Sequence, residues 1–99
     1  MTPSLLSDDD VADRLRALRW TREGDQIARD ITLHDFREAV MLVNRVAELA
    51  ERHDHHPDIL IHSWNKVKLS LTNHAAGGLT EVDFEMAARF DELIAPKRS

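Results

Sequence analysis

The chain has 99 residues, 42% hydrophobic and 31% charged, with a formal net charge of −5. That suits a single globular domain over residues 1–99 with one modest core, not a disordered chain. The acidic balance argues against nucleic-acid binding, and the lack of cysteine excludes disulfides and thiolate metal sites.

The opening MTPSLLSDDD has no basic region ahead of a long apolar run, so it does not read as a signal peptide. No apolar run approaches membrane-spanning length, and a cytoplasmic protein is expected. Ser7 and Asp10 stand at capping-box spacing, and Asp8, Asp9 and Asp10 suit the positive end of a helix dipole. Val11, Leu15 and Leu18 follow at helical intervals, which predicts a helix over about 8–18.

Gly24 and Asp25 divide the next segment into two β-branched halves. They predict a hairpin with strands near 19–23 and 26–33, although the second half does not alternate cleanly. Residues 35–53 carry the strongest helical pattern. Phe36, Val40, Val43, Ala47 and Ala50 form one stripe, widened by Leu42, Val46 and Leu49. A stripe that wide predicts burial against more than one surface, and in so short a chain it predicts a homo-oligomer.

Pro57 stops that helix. A second hairpin follows, with its turn at Ser63 to Asn65. From Lys66 to Thr72 the alternation is strict, with Val67, Leu69 and Leu71 on one face. Gly77 and Gly78 break the chain again. Thr80 and Asp83 then repeat the capping-box spacing and open a last helix through Val82, Met86, Phe90 and Leu93. The order is α-β-β-α-β-β-α. An α+β fold is expected, with a single four-stranded antiparallel sheet and three helices packed on one face.

The chemistry concentrates in Glu51 to Pro57, ERHDHHP, which holds three of the six histidines. Three readings are open: a metal site, an acid/base site, or a polar helix end where histidine complements the dipole. The spacing of His53, His55 and His56 is not that of a zinc signature, which sets two histidines four apart on one helix. His53 suits the helix end, while His34 and His62 read as surface residues. His74 lies at the end of the last strand and Asp83 in the first turn of the last helix. Such positions present polar groups to a cleft. Histidines meeting carboxylates there suit proton transfer near neutral pH.

Glu51, His55-His56-Pro57, Trp64, His74 and Asp83, with WNKV at 64–67 and GGLTEVDF at 77–84, resemble the pterin-4a-carbinolamine dehydratase family. The resemblance runs from about Leu18 to Leu93. It implies an enzyme, a hydro-lyase that takes water from a 4a-hydroxytetrahydropterin and yields a quinonoid dihydropterin, with no metal and no cofactor. It also implies a homo-oligomer, dimer or tetramer, and a functional link to an aromatic amino acid hydroxylase. His55, His56 and His74 would form the active site. His55 and His74 would share acid/base duty and His56 would bind the pterin. Glu51 and Asp83 would orient imidazoles or the ring. Trp64 would flank the pterin ring, with a core or rim tryptophan as its plain alternative, and Pro57 would belong to the same substrate-binding or orienting set. For Asp83 the plain alternative is a capping residue; for Glu51 it is a solvated helix residue. A rival function on the same fold is that of a non-catalytic interaction or assembly factor.

Overall fold

The computed structural model describes residues 3–94. The elements follow in the expected order: α1 (Asp8–Leu15), β1 (Thr21–Glu23), β2 (Gln26–Thr32), α2 (Phe36–His53), β3 (Asp58–His62), β4 (Lys66–Leu71) and α3 (Glu81–Ile94). The four strands form one antiparallel sheet in the order β1-β2-β4-β3, and the three helices cover one of its faces.

Each of the two capping boxes read in the sequence forms one of its two bonds. The Ser7 hydroxyl accepts from the Asp10 N–H at 3.1 Å. At the start of α3 the Asp83 carboxylate accepts from the Thr80 N–H at 2.8 Å. Asp35 caps α2 as Ser7 caps α1, accepting from the Glu38 N–H at 2.8 Å. α1 stops at Leu15, short of the expected 18. Ala17 and Leu18 donate to Arg14 and Leu15, three residues back, so the chain tightens into turns instead of adding α-helical bonds.

On β4, Val67, Leu69 and Leu71 are buried in the core, while Lys66 and Lys68 stay half-buried on the other face. There Lys68 Nζ donates to Glu23 Oε1 across the sheet at 3.0 Å. β2 alternates imperfectly for a visible reason. Its core face carries Arg29 between Ile27 and Ile31, and the guanidinium meets Asp91 of α3 at 2.5 Å. The same Asp91 oxygen accepts from Trp20 Nε1 at 2.8 Å, so a charged group is accommodated beside the core.

The stripe expected on α2 is rotated. Ala39, Leu42, Val46 and Ala50 are the buried residues, and Phe36, placed on the core stripe by the sequence, is 55% exposed. Alanines at 39 and 50 take the face against the sheet and α3, and the bulkier Phe36, Val40 and Val43 lie to one side. Among the described residues no helix is long and apolar enough to cross a membrane.

α2 and α3 run so that the end of one meets the start of the other. Asp58 pairs with Ser70 across β3 and β4. The chain entering β3 and the chain leaving β4 are therefore at one end of the sheet, and the β3–β4 turn is at the other.

Candidate active site

α2 ends in a reversal that launches the histidines. Asp54 adopts a left-handed conformation, φ 51° and ψ 42°. Its N–H donates to the Glu51 carbonyl at 3.4 Å, and the His55 N–H to the Ala50 carbonyl at 3.2 Å. This is the Schellman pairing, with aspartate where glycine is commonest. Pro57 then holds the preceding backbone away from helix, and β3 begins at Asp58. His53 stays at the helix end, exposed, while His55 and His56 occupy the connector.

His55 is met by the start of α3. Asp83 is fully buried, at 0% exposure, and both its carboxylate oxygens are used. Oδ2 accepts from the Thr80 N–H at 2.8 Å and the Thr80 hydroxyl at 3.3 Å. Oδ1 lies 2.7 Å from His55 Nε2. Asp83 is thus both the capping residue and the partner of an imidazole. His56 Nε2, in the connector, lies 2.5 Å from Oε2 of Glu51 on the last turn of α2, and the pair is exposed. Glu51 is therefore engaged with a histidine and not merely solvated. In both pairs a carboxylate takes Nε2 and leaves Nδ1 for another partner.

His74 sits one step beyond its expected place. β4 ends at Leu71, and His74 is an exposed member of the turn that follows. Asn73 builds that turn. Its side-chain oxygen accepts from the Ala76 N–H at 3.0 Å, and its carbonyl from Gly77 and Gly78 at 2.9 and 3.2 Å. Gly77, at φ +83°, takes the left-handed position. The turn leaves the sheet at the end where His55 and His56 enter it. No side-chain hydrogen bond joins His74 to either of them among the described residues.

Trp64 is not brought to the histidines. It lies in the β3–β4 turn, 62% exposed, at the opposite end of the sheet. The length of β3 alone, at about 3.3 Å per residue, sets it roughly 16 Å away. Pro57 is half-buried beside His56. A shallow depression of about 540 Å³, lined by Ala47, Glu48, Glu51 and Arg52, runs beside the Glu51–His56 pair. Among the described residues no three His, Cys, Asp or Glu side chains are arranged to hold a metal ion.

The model of the family described as pterin 4 alpha carbinolamine dehydratase matches residues 4–93. The chain belongs to this family. A relative from Nocardia farcinica, provisionally named a pterin-4-alpha-carbinolamine dehydratase, is 50% identical over 94 residues. The match covers 94% of this chain and 98% of that protein. A relative from Roseiflexus castenholzii with the same provisional name is 49% identical over 92 residues, covering 92% and 98%. Among solved structures, the transcriptional coactivator/pterin dehydratase of Brucella melitensis superposes with a TM-score of 0.85 at 30% identity. It covers 91% of this chain and 98% of its own. A pterin dehydratase-like protein, described as a RuBisCO assembly factor in the alpha-carboxysome, shares the fold at a TM-score of 0.63. It is 20% identical over 81% of this chain and 92% of its own.

Two residues that support the candidate site carry no catalytic signal in the sequence. Asn73 shapes the His74 turn, and its one clue is an asparagine shortly ahead of a glycine pair. Thr80 is legible as a helix cap, but its second bond to Asp83 depends on side-chain geometry.

Proposed function

We propose that this protein removes water from a 4a-hydroxytetrahydropterin to give a quinonoid dihydropterin, recycling the pterin used by aromatic amino acid hydroxylases. The observation that carries the reading is the pairing of His55 with the buried Asp83, with Nε2 held and no hydrogen bond on Nδ1 among the described residues. A histidine fixed in this way on the rigid junction of α2, β3 and α3 suits proton transfer. Family membership supports the substrate class.

The reaction breaks the C4a–O bond and the N5–H bond. A proton goes to the leaving hydroxyl, which departs as water. The N5–H electron pair becomes the second bond between N5 and C4a. One imidazole supplies the first proton and another accepts the second. His55 and His74 are assigned this work, and His56, oriented by Glu51, is assigned to binding the ring. Trp64 has no part in the site of its own protomer. No metal or other cofactor enters the scheme, and the reading places the enzyme in the cytoplasm as a dimer or tetramer.

The rival reading, an interaction or assembly factor, draws on the relative described as a RuBisCO assembly factor. At 20% identity that relative speaks for the fold alone, and the complete His55, His56, His74 and Asp83 set favours the enzyme. Stopped-flow dehydration of synthetic 4a-hydroxytetrahydropterin tests the choice. Acceleration over the buffer rate supports the enzyme, and its absence in folded protein moves the assignment to the interaction factor.

A further inference from the structure

We propose that Thr80 is a positioning residue for His55, acting through Asp83. The inference deepens the dehydratase reading and rests on it. A threonine at a helix start ordinarily offers its hydroxyl oxygen to an N–H of the first turn. Thr80 does something else. The Asp83 N–H goes to the Thr80 backbone carbonyl at 3.2 Å. The hydroxyl is thereby left to donate to Asp83 Oδ2 at 3.3 Å, alongside the Thr80 N–H at 2.8 Å.

Two donors on one oxygen resist rotation of the carboxylate about its Cβ–Cγ bond. The other oxygen is then aimed at His55 Nε2, 2.7 Å away. Thr80 and Asp83 are both fully buried, so no solvent shares these bonds. The backbone of Thr80 has its own support, independent of the hydroxyl. It forms an antiparallel bridge with Leu5, and the Leu6 N–H donates to the Leu79 carbonyl at 3.0 Å. The hydroxyl can therefore be removed while the helix start stays anchored. What it contributes is direction: it keeps His55 donating through Nε2 and presenting Nδ1 to substrate.

The test compares Thr80→Val, which lacks the hydroxyl, with Thr80→Ser, which keeps it, in the full chain. Nitrogen-15 spectra of the His55 ring are read without substrate, and kcat and KM are read with 4a-hydroxytetrahydropterin. The parent and Thr80→Ser should hold the Nε2–H form of His55 alone. Thr80→Val should show both ring tautomers, with kcat lower by about 3- to 10-fold and KM within about 2-fold, as befits one lost hydrogen bond. If Thr80→Val does not fold, Thr80→Ala is measured in its place. A valine variant with the parent's ring spectrum and kcat overturns the proposal. So does equal impairment of the valine and serine variants, which would mark Thr80 as a plain helix cap. A parent that dehydrates nothing defeats the dehydratase reading instead, and the ring spectrum then decides the role of Thr80 unaided.

Discussion

His55 Nε2 and Asp83 Oδ1 meet at 2.7 Å although 28 positions separate them in the chain. The pair ties the end of α2 to the start of α3, so Asp83 both caps a helix and holds an imidazole. Asp83→Ala should remove both. It strands the buried Thr80 N–H, at a cost of about 1–3 kcal/mol. In a domain of this size that lowers Tm by about 4–8 °C per kcal/mol. The rate should fall by roughly 10- to 100-fold as His55 loses its orientation. Thermal unfolding and initial rates check the two effects separately.

The histidines should partition by role. His55→Ala and His74→Ala should each lose about 10²- to 10⁴-fold in kcat, the usual size of one acid/base group. The double variant should approach the uncatalysed rate without reaching the product of the two losses, because groups acting together are not additive. His56→Ala should raise KM more than it lowers kcat. His53→Ala and His62→Ala should be near silent. Equal losses at the control positions, in folded protein, would defeat this division.

Asp54 offers a stability gain. It holds a left-handed conformation at the negative end of α2, where both its Cβ and its charge are unfavourable. Asp54→Gly should stabilise the fold by about 0.5–1 kcal/mol, and Asp54→Val should destabilise it. Urea midpoints give the comparison directly. A glycine variant less stable than the parent would show that the Asp54 side chain holds the turn.

The sheet carries a pH-dependent contact. The hydrogen bond from Lys68 holds the Glu23 carboxyl below its ordinary value of 4.5. A carboxyl whose folded pKa is depressed adds stability above its unfolded pKa, and loses it as pH falls through the folded value. Glu23→Gln should therefore lower Tm near neutrality and leave it unchanged well below pH 4.5. Melting curves of both proteins across that range should converge on the acid side. A constant gap would remove Lys68 from the explanation.

The flank of α2 should be buried between copies. Phe36 and Met41 are 55% and 47% exposed, on a helix whose Ala39, Leu42, Val46 and Ala50 already fill the core. Light scattering at micromolar concentration should give a dimer or tetramer, and Phe36→Glu should shift it toward monomer. A monomeric parent would mean that the apolar flank is simply exposed.

The order of elements is legible in the sequence because its boundaries rest on local chemistry. Ser7 with Asp10, Thr80 with Asp83, and the stop at Pro57 each act within one turn of chain. The direction in which α2 faces was not legible in this way. Apolar residues cover more than half its circumference, and only packing decides that Ala39 and Ala50 turn inward while Phe36 does not. The site divides along the same line. His55, His56 and their neighbouring carboxylates are readable as a cluster, but the pairing of His55 with Asp83 is a long-range event. The position of Trp64 is not legible in the sequence, because its short distance from Pro57 hides a strand that carries it to the far end of the sheet.

The Leu5–Thr80 bridge fixes the segment ahead of α1 against the start of α3. The start of the chain reaches the rear of the site through main-chain atoms, including the Leu6 N–H on the Leu79 carbonyl. Main-chain bonding tolerates many side chains. Position 5, whose leucine is more than half exposed, can therefore change with little penalty among homologous sequences. Proline at position 6 is a different matter, since it has no N–H to donate. Tolerance at the first of these neighbours and intolerance of proline at the second is the substitution pattern that a backbone strap behind the Thr80–Asp83 corner would leave.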